Sequence, residues 1–428
     1  MSERFSKDVL IRLSILAFTM FMVMVGFSIL FPILPLFITQ ELHGTARDLG
    51  FIFSLYSIVH FFCAPFWGIW SDKHGRKPAI MIGIAGIMLT FILIALSQNI
   101  WHLYIARVIG GFLTSAALPA VFAYAADLTN SKQRGPAIGM IGGSMGLGIV
   151  FGPALGGFLS GYTMVFPLGN IFVSHLRFPF LVAAVLGLLN LFLALAFLKE
   201  DKSKISESPA RLGPLERVAA AFGSHLRHYF IFALLVSVSF ACLTSTYTLF
   251  AFEEFGLDAR HVGYVFALFG FAGAFVQGVV TGKMINRFGE PFVIKLGVPL
   301  LALSYLLLTF SPNPFWFGVF SAFVGASQGL LFPSLTAAIS KGTTVGQGGA
   351  LGLYDSMEAM GRILGPIAGG VLFELAPARG SHHWPYYFAA GLLFISIIIG
   401  HTGIKEAEHK EWLEELAETV ERGGGDRA

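Results

Sequence analysis

Residues 68–80 read GIWSDKHGRKPAI, with five charged or titratable side chains gathered in a glycine-punctuated turn. The stretch behind it, FIFSLYSIVHFFCAPFW (51–67), and the stretch ahead, MIGIAGIMLTFILIAL (81–96), contain no Asp, Glu, Lys or Arg. About 20 residues of α-helix cross a hydrocarbon layer, so a polar turn between two such blocks marks where a chain leaves a membrane and re-enters it. Glycines let two helix ends approach closely, and basic residues hold such a turn on the cytoplasmic face. Asp72 is the odd member, an acid among cations.

The rest of the chain repeats this pattern. Only 12% of its 428 residues are charged and its mean hydropathy is +0.73, where a soluble domain carries about 25% charge. Twelve spans are expected, at 10–38, 49–70, 79–97, 101–125, 135–160, 178–198, 228–252, 261–281, 292–311, 314–339, 348–374 and 385–404. The first block is too long for a signal peptide and lacks its cleavage pattern, so it is expected to stay as the first span. With the N-terminus in the cytoplasm, 22 Lys and Arg fall in cytoplasmic segments, 4 in external loops, and Arg107 and Arg362 within spans. That asymmetry places both termini in the cytoplasm. Cys63 and Cys242 lie inside apolar blocks and read as packing residues. The net charge of +3 is too small to suggest a nucleic-acid partner.

A polar connection divides the spans into two groups of six: residues 1–198, a linker at 199–227, residues 228–404 and a tail at 405–428. Trp412, Leu413, Leu416 and Val420 give the tail a weak apolar stripe, expected to form a solvated helix. The halves are copies. GIWSDKHGRKP at Gly68 is echoed by GKMINRFGEP at Gly282, and GPALGG at Gly152 by GPIAGG at Gly365, offsets of 214 and 213. The fold class expected is all-α, with twelve transmembrane helices in two pseudo-symmetric six-helix bundles, an arrangement that places a substrate site between the halves of many secondary transporters.

Four motifs in order carry a family resemblance. ILFPILPLF with Pro32 and Pro35, GIWSDKHGRKP, YIARVIGG with Arg107, and GSMGLGIVFGPALGG ending in Gly152, Pro153, Gly156 and Gly157 are similar to signatures of the major facilitator superfamily, in its drug:proton antiporter branch. The resemblance implies a conformational latch of Gly68, Asp72, Gly75, Arg76 and Asp127. Asp72 would dock on the cytoplasmic start of span eleven and Arg76 would reach Asp127. The second copy has Asn286 and Glu290 where the first has Asp72 and Arg76, and is expected to serve only as a turn. Glycines in the fifth-span motif suit close packing or bending, and the resemblance implies that this helix helps seal the interface between the halves.

Ionisable residues within spans are expensive and point to function. Asp355, Glu358 and Arg362 stand at i, i+3 and i+7 on one helical face. With Glu358 and Arg362 neutralising each other, Asp355 is left to bind and release a proton; Arg107 completes the candidate coupling set. His60 is expected to be a packing residue. The resemblance implies a cavity lined by spans one, four, seven and ten, for which Met20, Met24, Phe27, Tyr247, Phe320, Phe323 and Gln328 are the candidates. Thioethers and aromatic faces repack around varied apolar ligands. Spans one and seven lack the mid-span carboxylate of many drug exporters, which speaks against organic-cation selectivity.

No phosphate-binding loop, metal-ligand spacing or enzyme motif occurs in the sequence, so no cofactor and no catalytic or metal residue is expected, and a proton gradient would supply the energy. The expected activity is proton-coupled efflux of amphipathic, mostly apolar small molecules or drugs by alternating access, by a monomer in the cell membrane. A dedicated transporter of one metabolite or lipid is the alternative, and a non-transporting membrane scaffold a third. The loop at 161–178 is unusually long and apolar and is expected to fold over the outer mouth, with Phe166 and Phe172 buried.

Overall fold

The computed structural model describes residues 5–166, 171–199, 213–224, 226–342, 347–375 and 382–398. Ten described helices are long and apolar enough to cross a membrane: Lys7–Glu41, Ala46–His74, Arg76–Ala95, Ile100–Leu128, Lys132–Leu159, Phe178–Phe197, Arg227–Phe255, Ala259–Phe288, Glu290–Thr309 and Pro314–Lys341. They are spans one to ten. Span eleven, Gln347–Leu375, is equally long but carries the charged triad. Span twelve is described over Trp384–Ile398. The tail lies outside the described residues.

Local chemistry starts the helices where the sequence changes character, and it does so twice. Thr45 accepts from the Asp48 amide to open span two, and Asp258 from the His261 amide to open span eight. Asn99 caps span four through His102, and Asn313 caps span ten through Trp316. A side-chain acceptor at such a position satisfies amides that have no partner within the helix. The same device recurs about 214 residues later, so the duplication read from the motifs extends to the helix ends. Packing follows the same symmetry. Span one lies on span five as span seven lies on span eleven, and span two packs on span four as span eight packs on span ten. Two further seams join the bundles, span two to span eleven and span five to span eight.

Two additions interrupt the symmetry. Within the loop at 161–178, Met164–Phe166 and Ile171–Val173 form antiparallel strands β1 and β2, with Val165 opposite Phe172. The expected burial of Phe166 and Phe172 lies outside what is described, since their side chains are not. Beyond β2, Arg177 donates to Glu41 at 2.8 Å and to the Ala95 carbonyl at 2.8 Å, tying the loop to the end of span one. In the linker, Pro214–Gly223 forms a short helix that packs on spans seven and eleven.

The two ends of the molecule differ. At the end away from Lys7, the bundles touch closely. A Cβ at Gly157 of span five would stand 2.6 Å from Gly263 Cα of span eight, and one at Gly50 of span two would strike the Pro366 carbonyl of span eleven. Ser54 donates to the Ile363 carbonyl at 2.6 Å, and Thr248 of span seven to the Phe31 carbonyl of span one at 2.7 Å. Arg47 lies 3.6 Å from Glu374 at the rim. Toward the end holding Lys7, a Cβ at Gly135, Gly139, Gly142, Gly143 or Gly146 of span five would meet nothing within 4 Å among the described residues, nor would one at Gly278, Gly282, Gly349 or Gly352 of spans eight and eleven. The bundles are shut at one end and parted at the other.

Candidate functional site

The latch residues gather at the parted end. Gly75 takes φ 104° between spans two and three, a backbone that a side chain rarely tolerates. Arg76 then opens span three, pairs with Asp72, places Nε 3.2 Å from Asp127 Oδ2 and donates to Ser71 Oγ at 2.9 Å. Asp72 is buried under this group, and Gly68 offers its carbonyl to Ser71 Oγ at 2.9 Å. The residues just before Gln347, where docking of Asp72 was expected, lie outside those described.

The second copy requires a correction: it is more than a turn. Gly289 takes φ 80°, and Glu290 opening span nine lies 2.5 Å from Lys341 Nζ at the end of span ten. Counted at an offset of 214, Glu290 stands where Arg76 does and Lys341 where Asp127 does. The clamp is repeated with its charges reversed. The reversal has a physical logic, because a helix start favours negative charge. Arg76 sits against that preference and is held by two carboxylates. Glu290 sits with it, needs one lysine, and would be repelled by a second acid at the position of Asn286.

The fifth-span motif divides between two jobs. A Cβ at Gly156 would stand 2.7 Å from Ile29 of span one, and Gly152 lies against Ser28 and the Val25 carbonyl. Gly157 and the Pro153 carbonyl face Gly263 across the seam. Packing within a bundle and closure between bundles thus occupy adjacent turns of one helix.

On span eleven, Arg362 lies 3.6 Å from Glu358 and 3.8 Å from Asp355. Tyr354 donates to Glu358 at 2.9 Å. Ser237 of span seven donates to the Glu358 carbonyl at 3.0 Å, which fixes the helix in its own bundle. Asp355 keeps 65% of its side chain exposed and Glu358 25%. The triad begins just below the Ser54–Ile363 contact, where the bundles part. His60 on span two is an electrostatic neighbour of both Arg362 and Asp355, a relation between bundles that sequence spacing cannot reveal. Arg107 is separate. It is buried on span four, with no ion pair to the triad.

A run of aromatic rings crosses the centre. Phe27 meets Phe31 at 5.4 Å, Phe31 meets Phe266 of span eight at 5.9 Å, and Phe266 meets Tyr247 at 4.7 Å. Tyr247 hydrogen-bonds Ser321 of span ten and stacks on Phe317 at 5.0 Å. Of the cavity candidates, Phe27 and Tyr247 belong to this run, and Gln328 is half-buried on span ten. Met20 and Phe323 need correcting. Met20 is fully buried in the first bundle's own core among Leu16, Ile84 and Val121. Met24 packs against Gly148 of span five. The Phe320 ring lies tilted 5.5 Å from that of Trp316, and Phe323, two residues from Ser321, is 54% exposed on a different face from the contacts to Tyr247. A membrane span is apolar on every side, so spacing groups residues on a face without saying which face turns inward.

The Major Facilitator Superfamily description matches residues 16–253 and 229–422. Multidrug resistance protein 1 of Bacillus subtilis (strain 168) is 28% identical over 91% of the chain and 95% of its own length. The class C tetracycline resistance protein of Escherichia coli is 30% identical over 80% and 85%. Among solved structures, a bacterial homologue of the human lysosomal transporter Spinster, crystallised inward-facing and unoccupied, superposes with a TM-score of 0.74 over 94% of this chain and 99% of its own, at 17% identity. With two duplicated six-helix bundles and family matches across both halves, the chain is a multi-pass membrane transporter that belongs to the Major Facilitator Superfamily.

Proposed function

We propose that the protein is a proton-coupled efflux transporter of amphipathic, mostly apolar small molecules, working by alternating access in the cell membrane with both termini cytoplasmic. Residues 1–198 and 228–404 move against one another, joined by the linker at 199–227. On that orientation the parted end faces the cytoplasm. The observation that carries the reading is the placement of the triad: Asp355 and Glu358 look into the cleft just below the seam, where the solvent they meet changes sides when the bundles rock. Arg362, Tyr354 and His60 surround them. Relatives named for multidrug and tetracycline resistance support export as the direction.

The test is concentrative uptake into energised everted vesicles with a panel of hydrophobic dyes and drugs. Accumulation of several unrelated compounds that collapses with the proton gradient is expected. Accumulation of one compound only would favour a dedicated transporter, and no gradient-dependent flux of any compound would overturn the reading.

A further inference from the structure

Arg107 is the deepest charge on spans one, four, seven and ten, about two turns from the nearer end of its helix. It is 2% exposed, and its Nε and Nη2 find no hydrogen-bond acceptor among the described residues. No acid forms an ion pair with it among the described residues. Arginine does not give up its proton in proteins, and a buried charge left without a counter-ion is costly. Its surroundings are aromatic. The guanidinium lies 5.6 Å from the ring centres of both Phe53 and Tyr56. The Tyr56 hydroxyl lies 2.8 Å from Thr114 Oγ1 and is not a hydrogen-bond partner of Arg107 Nε or Nη2. Tyr56 is 6.4 Å from the Phe27 ring and Phe53 is 6.2 Å from Phe31, which puts Arg107 directly behind the aromatic run that crosses both bundles. Faces of electron-rich rings stabilise a cation partly, while the guanidinium edge, where the unused N–H groups lie, matches a carboxylate.

We propose that Arg107 recognises the anionic end of the substrate, and that the molecules bound are organic anions carrying a carboxylate on a flat aromatic body. The guanidinium takes the carboxylate and the rings of Phe27, Phe31 and Tyr247 take the body. This deepens the efflux reading, on which it rests for the word substrate, but binding itself requires no gradient.

The test uses the full-length protein purified in detergent at neutral pH, with 1-naphthylacetate and its uncharged isostere 1-naphthylacetamide, measured by equilibrium dialysis. A charge-assisted bidentate bond predicts that the acid binds about tenfold more tightly than the amide, or better. Arg107→Gln should bring the two within about twofold, since only the anion loses its partner. Arg107→Lys, which keeps the charge without the fork, should retain a reduced preference. Equal binding of acid and amide to the unaltered protein overturns the proposal, as does a preference that both variants leave untouched. Should the Gln variant fail to fold, the unaltered protein and the Lys variant still decide. An unaltered protein that shows no acid preference yet carries out proton-driven efflux would sink this assignment alone. A clear preference in a protein that moves nothing against a gradient would sink the efflux reading and leave this one standing.

Discussion

Asp355 keeps most of its side chain exposed within a span of a protein that is 55% hydrophobic, and Asp355→Asn separates its titration from its shape. The variant should lose pH-driven accumulation against a gradient while downhill exchange stays within about threefold of the unaltered rate, because Asn preserves size and hydrogen bonding. Paired uptake and counterflow assays in proteoliposomes check this, and undiminished accumulation would move coupling to Glu358. The i, i+3, i+7 spacing made this triad legible in the sequence. His60 was visible as a titratable residue but not as a neighbour of the triad, since that relation exists only once span two meets span eleven. The isolation of Arg107 was hidden for the same reason: lack of a counter-ion is a property of three dimensions.

Among the elements, the two clamps set up a charge-exchange experiment. Glu290→Lys should place like charges against Lys341 and lower thermal stability by about 1 kcal/mol, the modest scale set by the exposure of Lys341. Adding Lys341→Glu should recover at least half of the loss, short of all of it because a cation then opens span nine against the helix dipole. Thermal unfolding in detergent of both single variants and the double variant gives the coupling energy directly. Additive losses would show that the pair does not interact. In the first half, Asp72→Asn removes the buried acid beneath Arg76 and should slow transport with expression near normal; transport at the unaltered rate would count against the latch. The second clamp was within reach of the sequence, because the offset of 214 found at Gly68 and Gly282 also relates Asp127 to Lys341. It was missed because a motif compared letter by letter does not register a pair whose charges have traded places.

For the whole molecule, the twelve spans, the duplication and the bundle architecture followed from apolar blocks and offsets, since a membrane leaves a helical chain little choice. Which end is shut did not follow, because glycine-rich faces of span five read alike along their length and only the partner helix distinguishes Gly157 from Gly143. Gly157→Val should wedge spans five and eight apart, as Gly263 Cα leaves no room for a side chain. Cysteine-accessibility labelling at the rim beside Arg47 should then rise several-fold in right-side-out vesicles, the change expected when a small-residue seam is forced open. Unaltered labelling would mean that the seam holds by other contacts.

The Ser54–Ile363 contact also has a mechanical consequence. Span two runs 20 residues from Ser54 to His74, an arm of about 30 Å at helical rise. Turning about that level, each bundle needs a tilt of only about 10° to widen the mouth by about 10 Å. Displacement at the fulcrum itself stays near the scale of a side-chain shift, while charges at the tip travel the width of a drug molecule. Small residues at the pivot and ionic clamps at the far reach of the lever are the distribution of parts that such leverage demands.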